Sequence, residues 1–450
     1  MGDNIINSRR QFAAYVFSDP SEIESYQPIK RIEKWVVAVF LVGVFAGQLA
    51  VSLHLHALQA FDQYNLFFDA DSNQYVSAVA HGWSFNRVIH PGFGLLFNVP
   101  TRALDLLASG AGLFKPGAVR AFVPILLPAL CGAIGGAFWW RASCVLDWSP
   151  LARIGALLLM QGSFSQMLFT AIPECYPVSG ALYCVLLWAA ARAHRDGSLL
   201  ERRSVQAMWL LLSVISTGVT VTNGAVWVAV WLALRWRLTP WRRWLAEGCF
   251  GGVVVVLSIP AIAELDRWAY KLEPISLTLV FSQVSGHGLN SVFEPTSVLS
   301  RTIELPAHAL ASVLSPQVQR IRNELAEKNA NRYHFGFSFI ETAITLPRIL
   351  ISWAIVVIGL ASISRLAWSP MARTCASVLA FNAALHATWG LEVFLYSQHW
   401  LAILVFAVSA GMQRAGVWGV RLLWLVAIGV ATHNTIQFSE MVSTLQKWPS

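Results

Sequence analysis

Long blocks of apolar residues, separated by short polar or basic segments, dominate the chain. Each block approaches the roughly 20 residues that a helix needs to cross a hydrocarbon core of about 30 Å. No run shows the strict alternation of apolar and polar positions that is typical of a membrane barrel. Because backbone groups in lipid must be paired within the protein, we predict an all-α polytopic membrane protein with about 11–12 transmembrane or re-entrant helices.

The apolar blocks place the predicted spans along the chain. They lie near residues 35–55, 121–140, 151–170, 176–191, 245–263, 349–367, 374–391 and 400–412, with a last span that ends near residue 435. The apolar run between the basic segments 192–203 and 235–243 is too long for one crossing, so we predict a helical hairpin. Its turn is expected at Thr220, Thr222, Asn223 and Gly224. The weaker stretch at 92–107, which contains Arg102 and Asp105, is expected to dip or to lie at the interface.

Four regions follow from this pattern. They are a cytoplasmic N-terminal segment 1–34, a transmembrane module 35–263 with a first outer loop 56–91, a large external loop 264–347, and C-terminal transmembrane helices 348–450. Within the large loop we predict a helical piece near residues 316–329. The first apolar run begins only near Trp35, after a polar stretch, so the first helix is expected to remain as an anchor.

Composition supports the membrane assignment. The chain is 56% hydrophobic and only 12% charged, whereas soluble domains carry about 25% charged residues. Its net charge of +8 comes from Lys and Arg clusters between apolar runs, where the positive-inside rule predicts cytoplasmic loops. We therefore expect a multi-pass protein of the inner (plasma) membrane that contacts membrane lipids and binds no nucleic acid. The six cysteines show no CxxC pair and no zinc-ligand spacing.

The first outer loop carries the first group of candidate residues. Asp69 and Asp71 follow two phenylalanines, and the loop continues through Tyr75 and Arg87 to the pair His90-Pro91. Local desolvation at a membrane surface would raise the pKa of such carboxylates and make them better bases. The alternative is a solvated loop in which Asp71 or Ser72 caps a helix.

Glu174 is the second candidate. It lies in a turn bracketed by Pro173 and Pro177, between two apolar spans, with almost no other charge nearby. The topology places it on the same outer face as Asp71. An isolated acid at membrane depth indicates a functional role, and the alternative is a Glu in a water-exposed turn.

A third group lies in an outer turn near the C-terminus. Glu392, Tyr396 and His399 recur at spacings of four and three, so they share one face if the turn is helical. The alternative is an interfacial aromatic belt with incidental polar partners. The remaining histidines of the large loop, His287, His308 and His334, are expected to be ordinary loop residues.

At these residues the chain resembles the GT-C superfamily of membrane glycosyltransferases, which use polyprenyl-phosphate-linked sugars. The family has a first outer loop with Asp-Glu-x-x-Tyr, then a Gly, then Lys-Pro or His-Pro. Here the order is Asp71-Ser72-Asn73-Gln74-Tyr75, Gly82 and His90-Pro91, with Ser72 in place of the second acid. Glu174 stands where the family carries an acid after its fourth helical segment. The resemblance covers roughly residues 35–245.

The resemblance implies a GT-C-like fold and a transfer reaction on the outer, periplasmic face. A sugar would move from a polyprenyl-phosphate donor to a hydroxyl of a glycan, lipid or protein acceptor, with inversion at the anomeric carbon. Asp71 would be the general base, and Glu174 would orient the acceptor or share its proton. Substrate contacts are expected from Asp69, Tyr75, Arg87, His90, Arg348, Glu392, Tyr396 and His399, of which His90, Arg87 and Arg348 would hold the phosphate.

Neither the residues nor the resemblance requires a cofactor, and a divalent metal stays open. Two other classes of function compete with the transferase. One is a transporter or flippase for a lipid-linked substrate, which would favour ionisable residues in mid-helix and paired halves. The other is an envelope assembly factor without chemistry of its own. The concentration of acids at outer turns favours the transferase.

Overall fold

Helices make up most of the described part of the chain. The computed structural model describes residues 20–62, 66–68, 70–82, 89–236, 238–271, 295–322, 333–337, 369–388 and 394–447. The helices are α1 Pro20–Ala57, α2 Ser72–His81, α3 Phe93–Gly110, α4 Ala118–Val145, α5 Pro150–Gly162, α6 Phe164–Ala171, α7 Tyr176–Arg195, α8 Arg203–Val219, α9 Val221–Arg235, α10 Trp241–Tyr270, α11 Pro295–Val313, α12 Pro370–Thr388, α13 Leu401–Arg414 and α14 Gly416–Gln446. Short 3-10 helices lie at Gly197–Glu201 and Leu395–His399, and two strands at β1 Val318–Arg322 and β2 Tyr333–Phe337.

Several of these helices are long and apolar enough to cross a membrane. They are residues 32–57 of α1 together with α4, α10 and α14, and α5 and α6 meet the same criterion as one span bent by 58°. The protein is therefore an all-α polytopic membrane protein, as predicted. The predicted spans at 35–55, 121–140, 151–170 and 245–263 coincide with these helices. The predicted span at 349–367 lies outside the described residues, and the last helix continues to Gln446 instead of ending near residue 435.

The basic segments gather at one end of the helices. Arg192 and Arg195 end α7, Arg202 and Arg203 lead into α8, and the α9–α10 connection carries Arg235, Arg242 and Arg243. We call this the basic end. Contacts divide the chain into residues 1–44 and residues 45–450, with the boundary inside α1. The site and the packing below belong to residues 45–450.

The predicted hairpin is present, and its turn is tight. Helices α8 and α9 meet at Thr220, so Thr222, Asn223 and Gly224 lie inside α9 instead of in the turn. The loop before α3 is hydrogen-bonded to this turn, since the Gly92 amide donates to the Gly218 carbonyl at 2.9 Å. A Cβ on Gly92 would lie 2.5 Å from Ile262 Cγ2 and 3.2 Å from the Gly218 Cα, so position 92 has no room for a side chain.

Helix α3 covers the weak stretch 92–107, and it is not among the helices apolar enough to span. Its Asp105 is 4% exposed and accepts hydrogen bonds from the amides of Gly117 and Val119 at 3.0 and 3.1 Å and from Arg120 Nε at 3.2 Å. A carboxylate at a helix N-terminus is stabilised by the helix dipole. Asp105 thus ties the end of α3 to the start of α4.

The large loop contains a two-stranded sheet. Strands β1 and β2 are antiparallel, with Val318 opposite Phe337 and Arg322 opposite Tyr333. The helical piece predicted near residues 316–329 is therefore wrong over 318–322, and residues 323–329 lie outside the described ranges. Residues 318–322 form a strand because β2, about ten residues further along the chain, supplies hydrogen bonds. The local sequence pattern cannot reveal such a partner.

Aromatic packing joins the first outer loop to the large loop and the C-terminal turn. The Phe68 amide donates to the Phe335 carbonyl at 3.0 Å. The Phe68 ring lies 4.7 Å from that of Phe337 and 5.0 Å from that of Phe394. Such ring pairs stabilise a core beyond their buried area. Three segments that are distant in sequence are thereby fixed beside Asp71.

Candidate functional site

Glu174 lies in the turn between α6 and α7, and the protein buries it. The residue is 1% exposed, so the prediction of a functional acid is favoured over a water-exposed turn. Its Oε1 accepts from the Cys175 Sγ at 3.4 Å, and its Oε2 has no hydrogen-bond partner within the described ranges. Burial first, and the charge of Asp71 second, raise the pKa of Glu174 well above its ordinary value. Burial therefore favours the protonated form of this carboxyl.

Asp71 lies directly before α2 and is the more hydrated of the two acids. Its side chain makes no capping hydrogen bond to the helix, which removes the capping interpretation for this residue. Gln74 Nε2 donates to Asp71 Oδ1 at 3.2 Å. Since the Asp71 charge acts on Glu174, the two predicted carboxylates belong to one site.

Tyr75 follows Asp71 by one helical turn and is fully buried. Its phenol oxygen has no hydrogen-bond partner among the described residues. Burial first, and then the charges of Cys131 and Glu174, raise the pKa of Tyr75 well above its ordinary value. The ring lies 5.2 Å from that of Phe93 at the start of α3. The phenol is thus a fixed, protonated hydrogen-bond donor next to the acids.

His90 is held by the hairpin turn. Its Nδ1 lies 2.6 Å from the Val219 carbonyl oxygen and 3.2 Å from Thr220 Oγ1. Because a carbonyl only accepts, Nδ1 carries the proton. Its Nε2 lies 3.8 Å from the Cys175 Sγ, beside Glu174. Burial lowers the pKa of His90 to about 4, so the imidazole is neutral and positions this wall of the site without supplying charge.

A second cluster of imidazoles and phenols adjoins the acids. The ring of His399 lies 5.8 Å from those of Tyr176, Tyr183 and Tyr396. His386, from α12, stacks on Tyr396 at 4.9 Å. Both histidines are 1% exposed, and none of their ring nitrogens has a hydrogen-bond partner in the described part of the chain. Burial first, then the charges of His386 and His90, lower the pKa of His399 well below its ordinary value.

A chain of hydrogen bonds supports the phenols. The Tyr183 hydroxyl donates to Asn223 Oδ1 at 3.2 Å, and Asn223 Nδ2 donates to Ser179 Oγ at 2.9 Å. Each partner comes from α7 or α9. A buried polar network whose members are all paired makes the side chains rigid. This network therefore fixes the ring of Tyr183 against His399.

Several predicted residues meet in this site. Asp71, Tyr75, His90 and Glu174 come together, and Tyr396 and His399 lie in the adjoining cluster. Asp69, Arg87, Arg348 and Glu392 lie outside the described residues. So does His287, whereas His334 lies in β2 and His308 is a buried residue of α11, so the prediction of ordinary loop residues is wrong for these two.

Residues that the sequence interpretation did not single out also line the site. They are Cys175, Tyr176, Thr220 and His386. His386 was detectable, because an ionisable residue inside an apolar span is a functional candidate by default. In the ranges that the structure describes, no three His, Cys, Asp or Glu side chains gather as metal ligands. Two acids, one of them with a raised pKa, are a poor donor set for a divalent cation.

The chain was also compared with known proteins. No protein-family model matches it, and no curated protein sequence matches it.

Proposed function

We propose that the protein is a membrane glycosyltransferase that moves a sugar from a polyprenyl-phosphate donor to an acceptor hydroxyl on the non-cytoplasmic face. One observation carries the proposal: a buried acid with a raised pKa, Glu174, lies within the electrostatic reach of a second, partly exposed acid, Asp71. Neighbouring carboxyls with different proton affinities are the usual means by which one site supplies both an acid and a base.

The environments of the two acids suggest a different role for each in the proposed reaction. Asp71 is the more exposed of the two acids, so in this scheme it accepts the proton of the acceptor hydroxyl. Glu174 keeps its own proton and donates a hydrogen bond that orients the acceptor or the sugar. Positioned proton transfer of this kind contributes on the order of 10² to 10⁴ in rate.

The reaction balances without a further reactant. The acceptor oxygen forms a bond to the anomeric carbon, the bond from that carbon to the phosphate oxygen breaks, and polyprenyl phosphate leaves with the bonding electrons. The acceptor proton passes to Asp71. Attack opposite the leaving phosphate inverts the anomeric centre. Because the phosphate is a good leaving group, the base and the positioning of both substrates are the main tasks of the protein.

The aromatic cluster fits a sugar ring and its leaving group. The phenols of Tyr176, Tyr183 and Tyr396 offer apolar faces with polar edges, and the neutral imidazoles of His386 and His399 offer hydrogen bonds without charge. Neutral His90 gives no positive charge to the phosphate. In this scheme the cations for the phosphate are Arg87 and Arg348, as the resemblance implies.

The two acids provide the decisive test. Cells expressing the wild-type chain, Asp71→Asn or Glu174→Gln would be compared by mass spectrometry of envelope glycans, lipids and proteins, and isolated membranes would be assayed for released polyprenyl phosphate. We expect Asp71→Asn to reduce both the sugar-modified product and the released lipid phosphate at least about 100-fold. The lost sugar mass would identify donor and acceptor together.

Exposed acids supply matched controls. Asp62 lies in the same outer loop as Asp71, Glu440 lies on α14, and both residues are exposed. The control variants are Asp62→Asn and Glu440→Gln. Both variants are expected to keep product formation. Unchanged product in Asp71→Asn would refute the transferase. A transporter would instead move the lipid-linked sugar without releasing polyprenyl phosphate, and an assembly factor would be insensitive to both acid substitutions.

A further inference from the structure

A pocket lies at the basic end, where Arg192 and Arg195 end α7. Its volume is about 240 Å³, and its walls come from α7, α12, α13 and the connection between α4 and α5. Trp148 and Phe406 line it, with ring centroids 4.7 Å apart. The lining also includes Met371, Cys375 and Ala410. Much of the lining is thus apolar.

The polar lining of the pocket contains one arginine and several hydrogen-bonding side chains. It consists of Arg414, His194, Gln413, Ser369 and Asp147. Burial first, and then the charges of Arg373 and Arg414, lower the pKa of His194. Asp147 is paired with Arg195 at 3.4 Å, so its negative charge is already balanced.

Three groups in the lining offer hydrogen-bonding capacity to a ligand. Within the described ranges the buried His194 Nδ1 has no hydrogen-bond partner. Arg414 makes no ion pair with a described carboxylate. Gln413 accepts from Ser149 Oγ at 3.1 Å through its Oε1, and its amide nitrogen is a donor. An arginine beside neutral donors of this kind matches the oxygens of a phosphate ester.

The surface beside the pocket is apolar and exposed. Leu151, Val417 and Trp418 are 62%, 68% and 75% exposed. The Arg421 guanidinium lies over the Trp418 ring at 4.8 Å, an arrangement typical of the level of lipid headgroups. Helix α14 holds this surface to α5, since Trp424 Nε1 donates to the Leu151 carbonyl at 3.0 Å. The acyl chains of a ligand in the pocket could therefore contact this apolar surface.

We propose that this pocket binds the phosphate headgroup of an anionic phospholipid from the leaflet at the basic end. Arg414 and His194 contact the phosphate, Gln413 donates to a phosphate or glycerol oxygen, and the acyl chains lie against the apolar surface at Leu151 and Trp418. Basic pockets between membrane helices bind anionic headgroups in this way. The site is separate from Asp71 and Glu174, and it stands or falls independently of the transferase proposal.

Lipid binding to the purified full-length protein would be measured by native mass spectrometry, with phosphatidylglycerol and phosphatidylcholine as probes. We expect phosphatidylglycerol to bind in preference to phosphatidylcholine. Arg414→Gln should weaken phosphatidylglycerol binding about tenfold, because it removes one charge-assisted contact. The matched control is Arg203→Gln, which removes an exposed arginine at the same end outside the pocket and should retain the lipid.

A second variant tests the pocket without removing charge. Ala410→Trp fills the cavity and should also abolish the preference for phosphatidylglycerol, with size-exclusion chromatography confirming a folded protein. Equal loss in Arg203→Gln, or full retention in both pocket variants, would overturn the proposal. Displacement of the lipid by millimolar inorganic phosphate would overturn the lipid source and assign the pocket to a soluble phosphate compound.

Discussion

The carboxylate of Asp71 acts on the carboxyl of Glu174 across the space between the first outer loop and the α6–α7 turn. Burial has already raised the pKa of Glu174, and the neighbouring charge raises it further. A carboxyl with a folded-state pKa above its unfolded-state pKa stabilises the fold below the unfolded value and loses that contribution as pH rises through the folded value.

The contribution of Glu174 to stability should therefore fall as the pH rises, whereas buried His90 and His399, whose pKa values are lowered, contribute in the opposite sense below about pH 6.5. Above that pH we expect the Tm in detergent to decrease more steeply for the wild type than for Glu174→Gln, because the substitution removes the ionisable carboxyl. The Tm of each protein at each pH would be measured by thermal unfolding, with intrinsic fluorescence as the signal. Glu440→Gln, at an exposed position, should leave the pH dependence of wild type unchanged, and equal slopes for all three proteins would contradict the assigned burial of Glu174.

Arg235 at the basic end should be more important for stability than its exposed neighbour Arg243. The Arg235 side chain is 1% exposed and is paired with both Glu201 and Glu247, the latter at 2.8 Å. Arg235→Gln leaves two carboxylates without their buried partner and should reduce the free energy of unfolding by about 3 kcal/mol. Chemical or thermal denaturation in detergent would measure the loss.

Arg243→Gln is the matched control for that substitution. Arg243 contacts the same two carboxylates but is 55% exposed. Its removal should reduce the free energy of unfolding by less than about 1 kcal/mol. A similar loss for both arginines would show that burial does not decide the strength of this network.

Gly162 should not tolerate a side chain. A Cβ there would lie 2.7 Å from the Ala431 Cβ and 3.0 Å from its Cα, so Gly162→Ala forces α5 and α14 apart. We expect a loss of about 1–3 kcal/mol in the free energy of unfolding. Gly429 lies on the same helix α14, and a Cβ there would have nothing within 4 Å. Gly429→Ala should therefore be neutral or stabilising. A Tm for Gly162→Ala as high as that for Gly429→Ala would contradict the close packing at Gly162.

Asn434 should be a critical polar residue of α14. Its Nδ2 donates to the carbonyls of Gly162 and Val313 at 2.8 and 2.7 Å, and its Oδ1 accepts from the Ser315 amide at 2.8 Å. Asn434→Leu leaves these three backbone groups unpaired and should lower the free energy of unfolding by about 3 kcal/mol.

Thr435→Ala provides the comparison for Asn434→Leu. The Thr435 hydroxyl donates only within its own helix, to the Ala431 carbonyl at 2.7 Å. Its loss should change the Tm little. Equal Tm values for Asn434→Leu and Thr435→Ala would show that the link from α14 to α5 and α11 contributes nothing to stability.

The spans at 35–55, 121–140, 151–170 and 245–263 were predictable because the length of an apolar block is a local property of sequence. The hairpin between the basic segments, with its turn at Thr220, followed from block length and charge in the same way. The strand at residues 318–322 was not predictable, because its pairing with Tyr333–Phe337 depends on a segment outside any local window. The buried position of His308 on α11 depends likewise on tertiary contacts.

The acids of the site were predictable for a different reason. Asp71 and Glu174 are isolated charges next to apolar sequence, and such charges carry a penalty that the fold must offset. The adjoining aromatic cluster was only partly predictable. Tyr396 and His399 stood out as neighbours in a turn, whereas His386 comes from a helix and reaches them only through the packing of α12.

The hydrogen bond from His90 to the hairpin turn ends on a main-chain oxygen, that of Val219. Every amino acid presents that same oxygen, so the contact is indifferent to which side chain occupies position 219. Substitutions at position 219 are limited only by the volume of the side chain. Position 90, in contrast, requires an aromatic ring with a hydrogen-bond donor where His90 has its Nδ1. Related chains should therefore keep the histidine while the residue opposite it varies among apolar types.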